Sequence, residues 1–443
     1  MRNYPQVALQ VPDILLPSMG IDMTRWSVIA CDQFTSQPEY WQQIEQFVAE
    51  APSTLHMVLP EVYLGKIDES ARIAQINQTM RSYLNQGILQ SFPGMIYVER
   101  TFNGKTRHGI MAALDLEQYD YTKGSASLIR ATEGTIIERI PPRVRIRQDA
   151  PLEIPHILVL IDDPNRTVIE PLKSQLASEI PLYDFDLMMG SGHVRGTQIS
   201  SLKIESQVVN ALSLLAKPEA FHSRYQLSSN HPVLLYAVGD GNHSLATAKN
   251  IWQKMKPSVS GDHPARYALV EIENIHDEGL EFEPIHRIIF NIPTTPVETI
   301  FEALKQFYPG RVLMLPCLSF DAMKKAVHEE NASCQTIGLI AKDQTWVIQI
   351  IEPPSNIAVG TLQSFLDAWL PSQQGVQIDY VHDDQVVLHL GSQTGNLGIY
   401  LPPLQKSQLF KTVILDGVLP RKTFSMGQAK EKRFYLECRR ITG

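Results

Sequence analysis

The sequence has few cysteines and no long hydrophobic run. Its 443 residues include four cysteines, and no two of them form a C-x-x-C pair. A disulfide framework is therefore not expected, and the thiols are predicted to be reduced. The longest apolar runs have the length of a strand, and Pro12 and Asp13 interrupt the apolar stretch near the N-terminus. We therefore predict neither a signal peptide nor a membrane span, and we expect a cytoplasmic protein.

Positive charge is also scarce. The chain has 39 Lys and Arg against 47 Asp and Glu, which gives a net charge of −8. A protein with this balance is not expected to bind nucleic acid through bulk charge, so any anion site must be a local pocket. The expected partner is a small anionic metabolite or nucleotide. The sequence leaves the oligomeric state open.

The length predicts more than one folding unit. A chain of 443 residues exceeds a typical single domain, and its mixture of helical and strand patterns predicts an α+β protein. The proline-rich stretch 292–296 interrupts one pattern before a new helix begins. We therefore predict a main α+β domain over 1–290 and a smaller α+β domain over 291–443.

Several local patterns predict individual elements. Apolar residues at helical spacing predict a helix within 67–90. Asn103-Gly104 between two alternating segments predicts a tight hairpin. The alternation over 143–147 predicts a strand with its arginines on one face, where they either line an anionic pocket or face solvent. A further strand is predicted near 385–390.

The most informative segment runs from an apolar strand through a glycine turn into a helix. The run 233–238 reads as a buried strand, Gly239-Asp240-Gly241 breaks it, and an amphipathic helix follows. The first-turn N–H groups of such a helix lack internal partners and attract anions. Asn242 or Asp240 is expected to cap this helix, and His243 to face a cleft or solvent. An ordinary capped strand–turn–helix remains the alternative.

Four segments resemble one bacterial family. The stretch 240–248 resembles the D-G-H-H-R-x-x-T-A motif of the domain-of-unknown-function family numbered 1015, and so do 129–135, 282–287 and 419–425. The likeness covers nearly the whole chain. The motif also resembles that of ParB/sulfiredoxin-like proteins, including free serine kinases, in which such a helix start meets nucleotide phosphates. The resemblance implies a mixed sheet core of ParB/sulfiredoxin-like type.

The motif departs from the family pattern at two positions. Asn242 replaces the first histidine and Ser244 replaces the arginine. The guanidinium that would grip a phosphate is therefore missing at its usual place. Arg143, Arg145 and Arg147 are candidates to replace it, or phosphate transfer is the wrong chemistry.

Other residues offer weaker signals, each with a structural alternative. Asp162 and Asp163 end a strand, where carboxylates suit either Mg²⁺ or a simple turn. His286 is either a general base or a neighbour of a structural ion pair. The glycine-rich stretch 189–196 is either a phosphate loop or a mobile loop. Cys31 is expected to be a buried, unreactive thiol.

These observations lead to one main functional hypothesis. We predict an enzyme that handles a phosphorylated metabolite or nucleotide, a phosphotransferase or phosphatase acting on a serine-like hydroxyl. Its expected catalytic residues are Asp240, as base or Mg²⁺ ligand, His243, as donor to an oxyanion, and His286. The expected phosphate-binding residues are Gly239, Gly241, Asn242, Ser244, Arg143, Arg145 and Lys422. The alternatives are a non-catalytic nucleotide-binding switch and a histidine-dependent hydrolase.

Overall fold

The computed structural model describes residues 1–293, 295–329, 331 and 333–443. Two compact units are present: Met1–Glu281 together with Gly427–Gly443, and Phe282–Met426. The division therefore differs from the predicted one, because the second unit begins earlier and the last residues return to the first unit. The expected boundary at 292–296 contains Thr294, which lies outside the described residues.

The strands, in chain order, are β1 (Arg2–Tyr4), β2 (Leu9–Val11), β3 (Asp13–Pro17), β4 (Val28–Ile29), β5 (Leu89–Pro93), β6 (Met95–Phe102), β7 (Lys105–Asp115), β8 (Tyr119–Asp120), β9 (Ile129–Ala131), β10 (Leu152–Glu153), β11 (Leu158–Ile161), β12 (Tyr183–Asp186), β13 (His193–Ile199), β14 (Tyr236–Asp240), β15 (Tyr267–Asn274), β16 (Phe282–Pro284), β17 (His286–Phe290), β18 (Val312–Cys317), β19 (Cys334–Ala341), β20 (Gln344–Ile351), β21 (Gln377–Val381), β22 (Leu397–Tyr400), β23 (Phe424–Met426), β24 (Phe434–Tyr435) and β25 (Arg439–Arg440).

The α-helices are α1 (Met23–Trp26), α2 (Pro38–Val48), α3 (Glu69–Asn85), α4 (Ile140–Arg147), α5 (Glu170–Gln175), α6 (Leu202–Leu215), α7 (Pro218–Tyr225), α8 (Asn242–Met255), α9 (Pro296–Phe307), α10 (Phe320–His328), α11 (Ala358–Trp369), α12 (Asp384–Gly391) and α13 (Lys406–Asp416). Among the described residues, none of these helices is long and apolar enough to span a membrane.

The first unit is built on a large mixed sheet. Its strand order is β12-β13-β6-β7-β15-β11-β14-β9-β8, and β2 also pairs with β7. The β11–β15, β14–β9 and β8–β9 pairs are parallel, whereas β6–β7 and β7–β15 are antiparallel. Side chains alternate across the sheet, so Ile110 and Ala112 of β7 join one hydrophobic core while Met111 joins the other. The structure thus confirms a mixed α+β architecture.

The predicted hairpin is present. β6 and β7 are antiparallel, with Ile96 opposite Met111 at one end and Phe102 opposite Lys105 at the other. The turn residues Asn103 and Gly104 have φ values of 47° and 77°. Two positive φ values are those of a turn whose twist matches the strands, which explains why Asn-Gly stands there.

Two predicted strands are wrong. The segment containing Arg143, Arg145 and Arg147 is helix α4, because Pro141 and Pro142 suit the first turn of a helix. Successive helical side chains are separated by about 100°, so the arginines do not form a row. Each lies beside a different carboxylate: Glu61 for Arg143, Glu69 for Arg145 and Glu153 for Arg147. The segment near 385–390 is helix α12, capped by Asp383, whose carboxylate accepts two backbone N–H groups.

The second unit contains an antiparallel sheet of its own. The order is β18-β20-β19-β22-β17-β21, and β16 pairs separately with β23. Helices α10 and α12 pack on this sheet through buried side chains such as Met323 and Val387. Strands β19 and β20 form an antiparallel hairpin around Asp343.

The last residues of the chain, 427–443, form what we call the C-terminal segment of the first unit. Its strand β24 pairs with β4, and β25 pairs with β10. Arg433 lies buried between the carboxylates of Glu271 and Glu437. The segment is therefore held both by backbone pairing and by a buried charge network.

Candidate functional site

The strand–glycine–helix segment has the predicted backbone. β14 ends at Asp240, Gly241 has a φ of +77°, and α8 begins at Asn242. A Cβ atom on Gly241 would lie 3.0 Å from Ile157 Cα, so both conformation and space require glycine. Gly241 is the N-cap residue, so the expectation that Asn242 or Asp240 fills this position is wrong. Since glycine has no side-chain acceptor, the N-cap residue itself makes no side-chain hydrogen bond to the first-turn amides of α8, which lie at the positive end of the helix dipole.

Asp240 is held in its ionised form beside this turn. Its Oδ1 accepts the Gly241 N–H at 2.8 Å, and its Oδ2 lies 3.2 Å from Lys432 Nζ. Burial alone would raise the pKa of the carboxyl, but the ammonium of Lys432, the neighbouring His156 and the Gly241 amide together lower that pKa below its usual value. Lys432 belongs to the C-terminal segment, so this segment supplies the positive partner of the turn.

His243 is half-buried and contacts the backbone of a neighbouring segment. Its Nε2 atom accepts the backbone N–H of Ile136 at 3.2 Å. An accepting Nε2 places the proton of the neutral ring on Nδ1. His243 can therefore donate to an oxyanion only through Nδ1.

A pocket of about 150 Å³ opens beside the start of α8, within the first unit. One wall is apolar and includes Met57, Met80 and Ile146. The polar part of the lining consists of the side chains of Cys31, Asp32, Glu61, Arg143, Arg147, Glu153, His156, Ser244, Thr247 and Tyr435. An apolar wall with a few converging polar groups is typical of a site for a small molecule.

His156 is the centre of the polar part. Its Nε2 atom lies 3.3 Å from Ser244 Oγ and 3.8 Å from Asp32 Oδ2. Its Nδ1 atom lies 3.0 Å from the hydroxyl oxygen of Tyr435, whose ring meets the imidazole edge-on. His156 is 9% exposed, so these contacts fix its orientation.

Cys31 is not a reactive thiol. Burial, with a further contribution from the Asp32 carboxylate, raises the pKa of Cys31 to about 12. A protonated thiol is a weak nucleophile. Its Sγ atom accepts the Tyr435 hydroxyl at 3.0 Å, a contact that opposes the effect of burial without reversing it.

Of the remaining residues predicted to bind phosphate, some lie beside the pocket and others do not. Arg143 lines the pocket and pairs with Glu61, whereas Arg145 lies 3.5 Å from Glu69 and is not a lining residue. Gly239 lies in β14. Lys422 is exposed in the second unit, where its φ is +57°.

His286 also belongs to the second unit and is fully buried in β17. Its Nδ1 atom accepts the Leu401 N–H at 3.1 Å, its Nε2 atom lies 3.4 Å from Asp384 Oδ1, and its ring stacks on Tyr400. Burial is the largest influence and lowers the pKa of His286, although Asp384 opposes it. The surroundings of His286 are those of a packed, neutral histidine.

Asp162 and Asp163 bind protein donors. Asp162 accepts from the Tyr225 hydroxyl and from His276 Nε2, and Asp163 is fully buried and accepts the N–H groups of Thr167 and Val168. These contacts correspond to the turn that the sequence offered as the alternative. In the described part of the chain, no group of three or more His, Cys, Asp or Glu side chains is arranged to hold a metal ion.

Sequence reasoning missed the pocket residues His156, Asp32 and Tyr435, and Lys432 beside the Asp240 turn. His156 and Tyr435 lack any motif, and Asp32 stands beside a cysteine that drew attention instead. Lys432 lies in the basic run 430–433, the type of run that usually faces solvent. Only the tertiary contacts of the C-terminal segment place Lys432 and Tyr435 beside α8.

Solved structures with a remote likeness include a free serine kinase in complex with AMP, with 10% identity, a TM-score of 0.39, and coverage of 75% of this chain and 91% of that one. A conserved hypothetical protein from Pyrococcus furiosus has 11% identity, a TM-score of 0.34 and coverage of 74% and 90%. SbnI from Staphylococcus aureus, with a C-terminal truncation, has 10% identity, a TM-score of 0.35 and coverage of 72% and 82%.

A search of curated proteins finds no match. The family model described as "Protein of unknown function (DUF1015)" matches residues 15–369, which is most of the chain and includes the strand–glycine–helix segment and most of the pocket. The chain belongs to the DUF1015 family.

Proposed function

We propose that the first unit binds a phosphorylated small metabolite or nucleotide, with a phosphate at the start of α8, and that it carries out phosphoryl chemistry on a serine-like hydroxyl. The observation that carries the proposal is the N-terminus of α8: its N-cap is Gly241, and Ser244 of its first turn lines the pocket. A ParB/sulfiredoxin-like lineage and a cytoplasmic location belong to the same proposal.

The helix start suits a phosphate for two reasons. The amides of the first turn point along the helix axis towards its N-terminal end, and the glycine N-cap offers them no acceptor. The helix dipole adds a positive potential of roughly half an elementary charge at this end. A phosphate oxygen at this end would therefore receive hydrogen bonds and a favourable field without needing the arginine that Ser244 replaces.

Nearby cations support the same placement. Arg143 lines the pocket, and Lys432 lies beside the Asp240 turn. Both cations have carboxylate partners, Glu61 and Asp240. A phosphate would share these cations with the carboxylates, so its affinity would depend on the amides as much as on the charges.

Substitutions at Ser244 test the phosphate site directly. Ser244→Asp places a carboxylate at the helix start. Ser244→Asn is the matched control, because asparagine has nearly the same shape as aspartate but carries no charge. An acidic residue in the first turn stabilises a helix, so the Asp variant is expected to stay folded. Binding of inorganic phosphate, AMP, ADP, ATP and O-phosphoserine would be measured by calorimetry and by thermal shift.

We expect the wild type and Ser244→Asn to bind at least one of these phosphates, and Ser244→Asp to bind it at least about tenfold more weakly, a loss of about 1.4 kcal/mol. A ligand at 100 times its Kd would raise stability by about 2.7 kcal/mol. Equal binding by the Asp and Asn variants would show that the phosphate does not bind at the start of α8. No binding of any phosphate to the wild type would refute the proposal.

Analysis of the products distinguishes an enzyme from a non-catalytic nucleotide-binding switch. For a phosphate that binds, turnover would be followed by ³¹P NMR with and without L-serine and Mg²⁺. An enzyme would release phosphate or form O-phosphoserine. Saturable binding with unchanged ligand would favour the alternative of a nucleotide-binding switch.

A further inference from the structure

The pocket contains the parts of an activated serine. Ser244 lines the pocket, and its Oγ atom lies 3.3 Å from His156 Nε2. A serine hydroxyl within reach of an imidazole that a third group orients is the arrangement of nucleophilic catalysis, whatever the fold that carries it.

Hydrogen bonds around His156 assign its proton. Tyr435 donates its hydroxyl hydrogen to Cys31 Sγ at 3.0 Å, and its oxygen accepts the Cys31 N–H at 3.2 Å. In this arrangement the remaining lone pair of the Tyr435 oxygen accepts from His156 Nδ1, 3.0 Å away. The proton of the neutral imidazole is then on Nδ1, and Nε2 is left as an acceptor facing Ser244. Nε2 in this state can take the hydroxyl proton.

Two further features complete the site. Asp32 Oδ2 lies 3.8 Å from Nε2, so its charge would stabilise the imidazolium formed when His156 takes a proton. The amides at the start of α8 belong to the same helix turn as Ser244 and would donate to a developing oxyanion.

We propose that Ser244 is a nucleophile, that His156 is its general base, and that Tyr435 positions His156. The substrate class, a phosphate ester, rests on the proposed function; the nucleophile itself does not. Ser244 Oγ would form a bond to phosphorus as the ester P–O bond breaks. The serine proton passes to His156 Nε2 and then to the departing alcohol oxygen. Water next attacks the phosphoserine, the Ser244 Oγ–P bond breaks, and His156 carries the water proton to Ser244 Oγ.

A fluorophosphonate probe tests the nucleophile without a known substrate. In this reaction the Ser244 oxygen forms a bond to phosphorus, the P–F bond breaks, fluoride leaves and His156 takes the proton. The full chain would be treated with the probe, digested and mapped by mass spectrometry, with a serine protease treated in parallel. We expect one principal adduct, on Ser244, and its loss in Ser244→Ala.

His156 and Tyr435 are tested through the labelling rate. His156→Asn is expected to slow labelling of Ser244 by about 100-fold or more, the usual contribution of a general base, and added imidazole is expected to restore part of the rate. Tyr435→Phe keeps the base but removes the partner of Nδ1, so a smaller loss of about tenfold is expected. Ser213→Ala and His222→Asn, in helices α6 and α7, are matched controls expected to label like the wild type.

The wild-type result decides the proposal even if a variant unfolds. Absence of an adduct on Ser244 while the protease is labelled would overturn it, and so would equal labelling in a folded His156→Asn variant. Failure of the phosphate proposal is distinguishable, because Ser244→Asn loses the nucleophile yet should keep phosphate binding. If Ser244 is labelled but the protein binds no phosphate, Ser244 is a nucleophile that acts on esters other than phosphate esters.

Discussion

Lys432 Nζ lies 3.2 Å from Asp240 Oδ2, which joins the C-terminal segment to the turn that starts α8. The Lys432 side chain is 12% exposed and that of Asp240 is 25% exposed. The pair is therefore largely shielded from water, and neither partner is easily replaced by solvent. This contact makes the geometry of the helix start depend on the last residues of the chain.

Lys432→Met is expected to destabilise the protein. Removing the ammonium leaves the Asp240 carboxylate without its charged partner, and a partly buried pair of this kind should cost about 1–3 kcal/mol. The lysine lowers the pKa of Asp240 in the folded protein. The stabilisation should therefore be fully present above the unfolded pKa of about 3.9 and decline as pH falls further.

Urea unfolding at pH 7 and at lower pH would measure this difference. Lys430→Met, a change at an exposed lysine of the same segment, is the matched control and should alter the free energy of unfolding by no more than about 0.5 kcal/mol. Equal effects of the two substitutions would show that the Lys432–Asp240 contact contributes nothing specific.

Gly241→Ala is expected to distort the helix start. The φ of +77° disfavours alanine, and the new Cβ would lie 3.0 Å from Ile157 Cα and Cγ1. Together these effects should destabilise the protein by about 1–3 kcal/mol and weaken any phosphate bound at α8. Gly261→Ala is the control, because no atom lies within 4 Å of its added Cβ. Thermal unfolding and phosphate titration would compare the two variants, and similar behaviour would contradict the role given to Gly241.

Local rules predicted the backbone around Gly241 but not the side chains that meet it. The strand, turn and helix are consequences of short-range preferences, as is the Asn103-Gly104 hairpin. Helix α4 was missed because the alternation of arginines outweighed the Pro141-Pro142 signal. His156 and Tyr435 approach each other only through sheet pairing and the return of the C-terminal segment, which no local pattern encodes.

The buried His286 is expected to make the stability of the second unit fall at acidic pH. Its pKa is lowered in the folded protein by burial and by the neighbouring Arg287 and Lys324, against the opposing effect of Asp384. The unfolded histidine takes a proton first, so stability should be fully present above about pH 6.5 and fall as pH decreases below it, by up to about 1.4 kcal/mol per pH unit.

Hydrogen exchange of the segment 397–401, corrected for intrinsic rates, would follow this effect locally, because the Leu401 N–H donates to His286 Nδ1. His286→Asn keeps an acceptor for this N–H but does not titrate, so its protection should depend less on pH. His389→Asn, at an exposed histidine, should retain the wild-type dependence. An equal pH dependence in the wild type and His286→Asn would disprove the assignment.

Arg433→Met is expected to release the C-terminal segment. Arg433 lies between Glu271 and Glu437, and the side chains of all three residues are at most 6% exposed. Removing the guanidinium leaves two buried carboxylates facing each other, which should destabilise the protein by about 3–5 kcal/mol. Limited proteolysis of 427–443 and urea unfolding would measure the loss. Arg440→Met, at an exposed arginine of β25, should leave both unchanged. A stable, protease-resistant Arg433→Met variant would mean that backbone pairing and the other contacts of the segment, such as the Arg439–Glu153 pair, retain it without Arg433.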